Sequence, residues 1–132
     1  MKNTKQAACL LITNDMGEVL LVSRRNSTQV GLPGGKVDPG ETPLNAALRE
    51  TFEETGLQFS EDDVVEVFGA LCEGEVNYFT TAYKAKYNGE ITEMVEDDIY
   101  VRWGSINELI NNSPFTAYNE AMIETLTTLN LL

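Results

Sequence analysis

Residues 34–57 read GGKVDPGETPLNAALRETFEETGL. The paired glycines and the Asp38-Pro39-Gly40 run mark tight, irregular backbone. Thr42 is suited to cap a helix with Pro43 in its first position, and Gly56 to end it in a left-handed turn. A helix is therefore predicted from about Pro43 to Thr55. At helical spacing Leu44, Ala47, Leu48, Thr51, Phe52 and Thr55 gather on one side, and Arg49, Glu50, Glu53 and Glu54 on the other. One face is for a core; the other is a face of charge.

Outward from that helix the chain reads as strands, then helices. Residues 7–13 (AACLLIT) and 18–24 (EVLLVSR) flank Asn14-Asp15-Met16-Gly17, which predicts a β-hairpin. Their near-continuous apolarity predicts strands covered on both faces. Further strands are expected at 64–71, 76–86 and 99–103, with a short one at 90–92 and an acidic loop over 93–98. Ser105 is placed to cap a short helix through about Asn111. Residues 116–129 carry Ala117, Ala121, Met122, Leu126 and Leu129 at helical spacing. The expectation is one domain over residues 1–132, an α/β sandwich with a mixed β-sheet.

Composition narrows the chemistry. The 132 residues carry a net charge of −12 and no histidine. An acidic chain repels nucleic-acid backbones, which argues against a general DNA- or RNA-binding role. Without histidine there is no Ser/His/Asp or Cys/His catalysis and no histidine-based zinc site. Cys9 and Cys72 lie in apolar segments far apart in sequence and read as free thiols, which suits a reducing cytoplasm. No stretch approaches the roughly 20 apolar residues of a membrane-spanning helix.

Glu50, Glu53 and Glu54 stand at i, i+3 and i+4 and project to one patch, where three like charges destabilise a helix unless something neutralises them. Glu41 can fold back toward them. Four carboxylates around Arg49 form an oxygen-rich set suited to Mg²⁺ or Mn²⁺. A solvated acidic helix face is the plainer alternative. Against it, Arg24, Arg25, Lys36 and Arg49, four of the nine basic residues, cluster in and just before this stretch. A cation beside Arg and Lys is what cleavage of a phosphate anhydride requires.

These residues resemble the Nudix hydrolase signature, G-x5-E-x7-R-E-U-x-E-E-x-G-U, where U is a bulky aliphatic residue. Gly35, Glu41, Arg49, Glu50, Glu53, Glu54, Gly56 and Leu57 stand in register; Thr51 departs from it at the first U. The resemblance implies the family's α/β/α sandwich and hydrolysis of a nucleoside diphosphate linked to another moiety. It implies Glu50, Glu53 and Glu54 as metal ligands with a backbone carbonyl at Gly34 or Gly35, Glu41 as support, and Arg49 as the residue that orients the glutamates. For the general base it leaves three options: Glu50, the loop of Glu96, Asp97 and Asp98, or Glu73 and Glu75.

Substrate preference within the family follows residues downstream. Cys72 stands where ADP-ribose hydrolases tend to carry proline, and Glu73-Gly74-Glu75 where dinucleoside polyphosphate hydrolases tend to carry tyrosine. The chain is thus most similar to small MutT-type enzymes that convert a nucleoside triphosphate to monophosphate and pyrophosphate. ADP-ribose, a dinucleoside polyphosphate, or a non-catalytic nucleotide sensor are the alternatives. Arg24, Arg25 and Lys36 are candidates for substrate phosphates. Tyr78, Phe79, Tyr83, Trp103, Phe115 and Tyr118 could stack on a base, with Phe115 and Tyr118 preferred, and Asn119 could bond a base edge. A monomer or homodimer is expected.

Overall fold

The computed structural model describes residues 4–96 and 98–132. Seven strands and three α-helices follow in the order β1 (Thr4–Thr13), β2 (Val19–Arg24), β3 (Gly34–Lys36), α1 (Pro43–Thr55), β4 (Val65–Cys72), β5 (Asn77–Lys86), β6 (Met94–Glu96), β7 (Ile99–Gly104), α2 (Ile106–Asn111) and α3 (Thr116–Thr128). The sheet runs β4-β5-β1-β2-β7-β6, with β3 paired to β1 off that path. Among the described residues only β1 and β5 run parallel; the other pairs are antiparallel, so the sheet is mixed.

Alternation along β1 builds both cores, because successive strand residues face opposite sides. Ala8, Leu10 and Ile12 pack with Ala46 and Ala47 of α1. Leu11 packs with Leu109 of α2 and with Met122, Ile123 and Leu126 of α3. This is the α/β/α sandwich expected from the sequence. The central strands are covered on both faces, which is why they read as continuous apolar runs.

The predicted hairpin is present only at its turn. β1 and β2 pair at Thr13 and Val19 and then diverge. Residues 31–36 enter the gap. Gly31 exchanges two backbone hydrogen bonds of 2.9 Å with Val22, and Gly34, Gly35 and Lys36 pair with Cys9, Ala8 and Ala7. The closeness of that entry dictates glycine: a Cβ on Gly34 would sit 2.7 Å from Cys9 Cα. The wedge brings the Gly-Gly segment beside α1.

α1 has the caps expected of it. Thr42 accepts from the Asn45 N–H at 3.1 Å, Pro43 opens the helix, and Gly56 ends it at φ 78° with its N–H on Phe52 O. Ser105 and Glu108 form a reciprocal capping box on α2. Three expectations are corrected. The stretch 90–92 is not a strand; the short strand lies at Met94–Glu96, inside the predicted acidic loop. Phe52 is 49% exposed, and Ala46 takes the core position beside Ala47. In α3 the buried face is Asn119, Met122, Ile123 and Leu126, while Ala117, Ala121 and Leu129 are exposed. Among the described residues no helix is long and apolar enough to cross a membrane.

Thr51, at the position where the signature carries a bulky aliphatic residue, is fully buried, and its Oγ1 has no hydrogen-bond partner among the described residues. A buried unsatisfied hydroxyl costs about 1–3 kcal/mol, and valine has nearly the same shape. Thr51→Val is therefore expected to raise unfolding stability by about 1 kcal/mol, read as a higher denaturation midpoint at unchanged m-value.

Candidate active site

Arg49 organises the charged face of α1, and every N–H of its guanidinium is used. Nε donates to Glu41 Oε2 at 2.8 Å and Nη2 to Glu41 Oε1 at 2.9 Å, a bidentate pair. Nη1 donates to Glu50 at 3.0 Å and to Glu53 at 3.2 Å. Nη2 also reaches the Lys36 carbonyl at 3.2 Å and lies 3.4 Å from Asp38. The turn before the helix serves this arrangement: the Asp38 N–H donates to Glu41 at 3.0 Å and so points Glu41 back at Arg49. Hydrogen bonds from Arg49, then from the Asp38 N–H, hold the Glu41 carboxyl down at about 2. The same carboxylates, Glu41 foremost, raise the Arg49 guanidinium.

Glu54 lies apart from that network. It accepts from the Gly34 N–H at 2.8 Å and stands 4.0 Å from Arg24 Nη2. Burial pushes its carboxyl up to about 7; Glu50 and Glu53 push the same way, against the Gly34 N–H and Arg24. Gly35 is packed against Glu50, since a Cβ there would fall 2.7 Å from the Glu50 carboxyl carbon.

The resemblance to the Nudix family implies a divalent cation, and the chemistry of these donors suits one. The donor set is all oxygen, as a hard cation prefers. Partly buried Glu54 has one exposed arginine, Arg24, at 4.0 Å as its counter-charge, and the absent Cβ of Gly35 leaves the Glu50 carboxylate room against the wedge. The carboxylates are gathered on Arg49 rather than around a ready-made cage, and no group of three converges on a common point among the described residues. Glu50, Glu53 and Glu54 are the carboxylates here that could hold a cation. Glu41 has both oxygens on Arg49, a supporting place in the network.

Across the wedge from the helix lies a cavity of about 450 Å³, within the range of small-molecule sites. Gly34, Gly35, Lys36 and Arg24 border it at the glutamate end, and Ser27, Gln29, Phe115 and Asn119 border it elsewhere. Lys36 Nζ stands 6.0 Å from the Tyr78 ring centroid. Phe115 is 60% exposed at the rim. Tyr118 is a wall: its hydroxyl donates to Thr80 O at 2.9 Å and its ring meets Phe68 edge-on at 5.3 Å. Asn119 is buried and spends both amide hydrogens, on Leu109 O at 3.2 Å and Ser113 Oγ at 3.0 Å. Its carbonyl oxygen is what it can offer a ligand.

Some sequence-predicted residues lie elsewhere. Arg25 does not line the cavity; its guanidinium is held by Asp98 at 2.8 Å. Asp98 is thereby committed to an ion pair. Tyr83 and Trp103 belong to the core on the α1 side, and Phe79 is exposed. Glu73 and Glu75 are exposed between β4 and β5. Asp97 and the side chain of Glu96 lie outside the described residues. Missed from sequence were Cys9, Cys72 and Thr80, which line the cavity. The period of two along β5 is the signal that could have found Thr80, since Tyr78, Thr80 and Ala82 share a face. Burial pushes the Cys9 thiol up to about 12 and raises the Tyr118 hydroxyl as well, so neither is a nucleophile at neutral pH.

A NUDIX domain model matches residues 3–126, and the chain belongs to the Nudix family. Over 51 residues it is 47% identical to the "Putative 8-oxo-dGTP diphosphatase" of Bacillus subtilis (strain 168), covering 39% of this chain and 34% of that one. Over 93 residues it is 37% identical to the asymmetrical bis(5'-nucleosyl)-tetraphosphatase of Mus musculus, covering 63% of this chain and 60% of that one. The chain thus spans between about a third and three-fifths of the length of these two relatives. The MutT protein of Methanosarcina mazei Go1 superposes with a TM-score of 0.79 at 26% identity, covering 98% and 96% of the two chains.

The saturation of Arg49 gives a direct test. Lysine keeps the charge but offers three donors without the planar fork. Arg49→Lys is expected to lower stability by about 1 kcal/mol, because the carboxylates it gathers lose bonds in a half-exposed setting. Unfolding at pH 7 in low and high salt checks it, with the larger loss in low salt.

Proposed function

We propose that this chain is a metal-dependent nucleotide pyrophosphohydrolase. Its preferred substrate in this reading is a nucleoside triphosphate, cleaved by water to a nucleoside monophosphate and pyrophosphate. The observation that carries the reading is the contiguity of two features. A carboxylate cluster held by Arg49 lies on one side of the Gly34–Lys36 wedge, and a nucleoside-sized cavity opens on the other. A nucleotide whose base occupies the cavity would lay its phosphates across the wedge toward the glutamates.

When bound by Glu50, Glu53 and Glu54, Mg²⁺ or Mn²⁺ supplies neutralisation of the phosphate charge and a more acidic water. The chain's own residues do the rest. Arg24 and Lys36 offset phosphate charge at the cavity end. Arg49 touches no substrate in this scheme; it fixes the rotamers of Glu50 and Glu53. For the base, Glu50, whose Oε1 Arg49 holds, and the Glu96 loop are the two options the scheme keeps. Phe115 and Tyr78 are placed at the cavity to contact a base, and the Asn119 carbonyl oxygen can accept from one.

The relatives' names support nucleotide anhydrides as a class and differ in substrate, so dinucleoside polyphosphates and ADP-ribose remain in the test. The free thiols accord with a cytoplasmic setting. Turnover of nucleoside triphosphates, ADP-ribose and dinucleoside polyphosphates with Mg²⁺, with product identification, decides among them. Monophosphate plus pyrophosphate is the expected outcome; binding without turnover of any would make the chain a sensor. Glu54→Gln is expected to cut turnover by at least about 100-fold with the fold intact. Near-wild-type turnover in that variant would sink the assignment of Glu54.

A further inference from the structure

We infer that Asp98 is a positioning residue for the nucleotide cavity, pinning the turn at Arg24–Ser27 that forms part of its mouth. The inference rests on the reading of that cavity as the nucleotide site. β2 and β7 pair in register down to Arg24 and Ile99. The ladder then gains one more rung: the Arg25 N–H donates to the Asp98 carbonyl at 3.0 Å. The side chains repeat the contact, with Arg25 Nε 2.8 Å from Asp98 Oδ1. Asp98 thus grips Arg25 twice, from a segment more than 70 positions along the chain.

What that grip holds is the cavity edge. Arg24, Ser27 and Gln29 border the cavity, and Arg24 also stands 4.0 Å from Glu54. The turn closes through the Ser27 N–H on Arg24 O at 3.1 Å, with Asn26 left-handed at φ 65°. Its far end is tied by the Val30 N–H on Asn112 O at 2.8 Å and by the paired bonds of Val22 and Gly31. Between those ties residues 25–29 are all exposed and lack a packed core to locate them. Asp98 provides the tie at the near end.

Two features argue that this grip serves position rather than stability. Both partners are more than half exposed, at 57% and 51% for the side chains, where ion pairs add little to folding. Asp98 also adopts φ 77°, a left-handed conformation that a non-glycine residue takes at a cost and that favours Asp and Asn among such residues. Glycine at 98 would accept that backbone without strain while removing the carboxylate, so it isolates the side-chain grip.

The test uses Asp98→Gly with dGTP and Mg²⁺ as the probe, and amide exchange of residues 25–29. The expected result is a KM raised by about threefold to tenfold with kcat within about twofold, the signature of lost uniform binding. Exchange at the hydrogen-bonded amides of Arg25, Ser27 and Gln29 should quicken by about twofold to fivefold. Arg25→Ala should match it, and the double variant should be no worse than either alone. An unchanged KM, a fall in kcat at constant KM, or unaltered exchange overturns the inference. Wild-type protein that binds dGTP without cleaving it would count against the proposed reaction alone; the exchange rates and the dGTP affinity by calorimetry then decide the role of Asp98.

Discussion

The structure around the charged face depends on one guanidinium. Three glutamates on adjacent turns repel one another, and a helix carrying them gains nothing from the arrangement on its own. Arg49 converts that repulsion into a fixed array by sharing its donors among Glu41, Glu50, Glu53 and the Lys36 carbonyl. The Lys36 bond matters as much as the carboxylates, because it fastens α1 to the wedge strand β3. A planar fork with five donors is suited to this; a point charge is not.

The wedge is the second constraint. Separating β1 from β2 removes ladder hydrogen bonds that residues 31–36 then replace from within the gap. The consequence is a short glycine strand with α1 on one side and the cavity on the other. At Gly34 a side chain would collide with Cys9, and at Gly35 with the Glu50 carboxylate. The two glycines thus do different things: the first lets the wedge in, and the second lets a carboxylate come up against it.

Much of this was legible in sequence, and the reasons are local. Capping at Thr42 and Gly56 and the i, i+3, i+4 glutamates are short-range signals, so α1 and its charged face could be read directly. The covered central strands were legible because both faces of β1 bury apolar side chains. Illegible were the things fixed by register between distant strands. The hairpin's divergence depends on what enters the gap, which no local pattern encodes. Cys72 and Thr80 reach the cavity because β4, β5 and β1 align, and Arg25 is drawn to Asp98 by one extra rung of the β2–β7 ladder. Asn119 was missed as a core residue because its burial rests on two specific bonds, to Leu109 and Ser113, and not on apolarity.

We propose that the Arg49-held carboxylates, completed by partly buried Glu54, bind a divalent cation. Titration with Mn²⁺, followed by the electron paramagnetic resonance signal of the free ion, tests it without any substrate. Saturable binding is expected, weakened by at least about tenfold in Glu54→Gln, the scale on which removal of a metal-site partner acts. Absence of saturable binding, or equal affinity in wild type and variant, would contradict it.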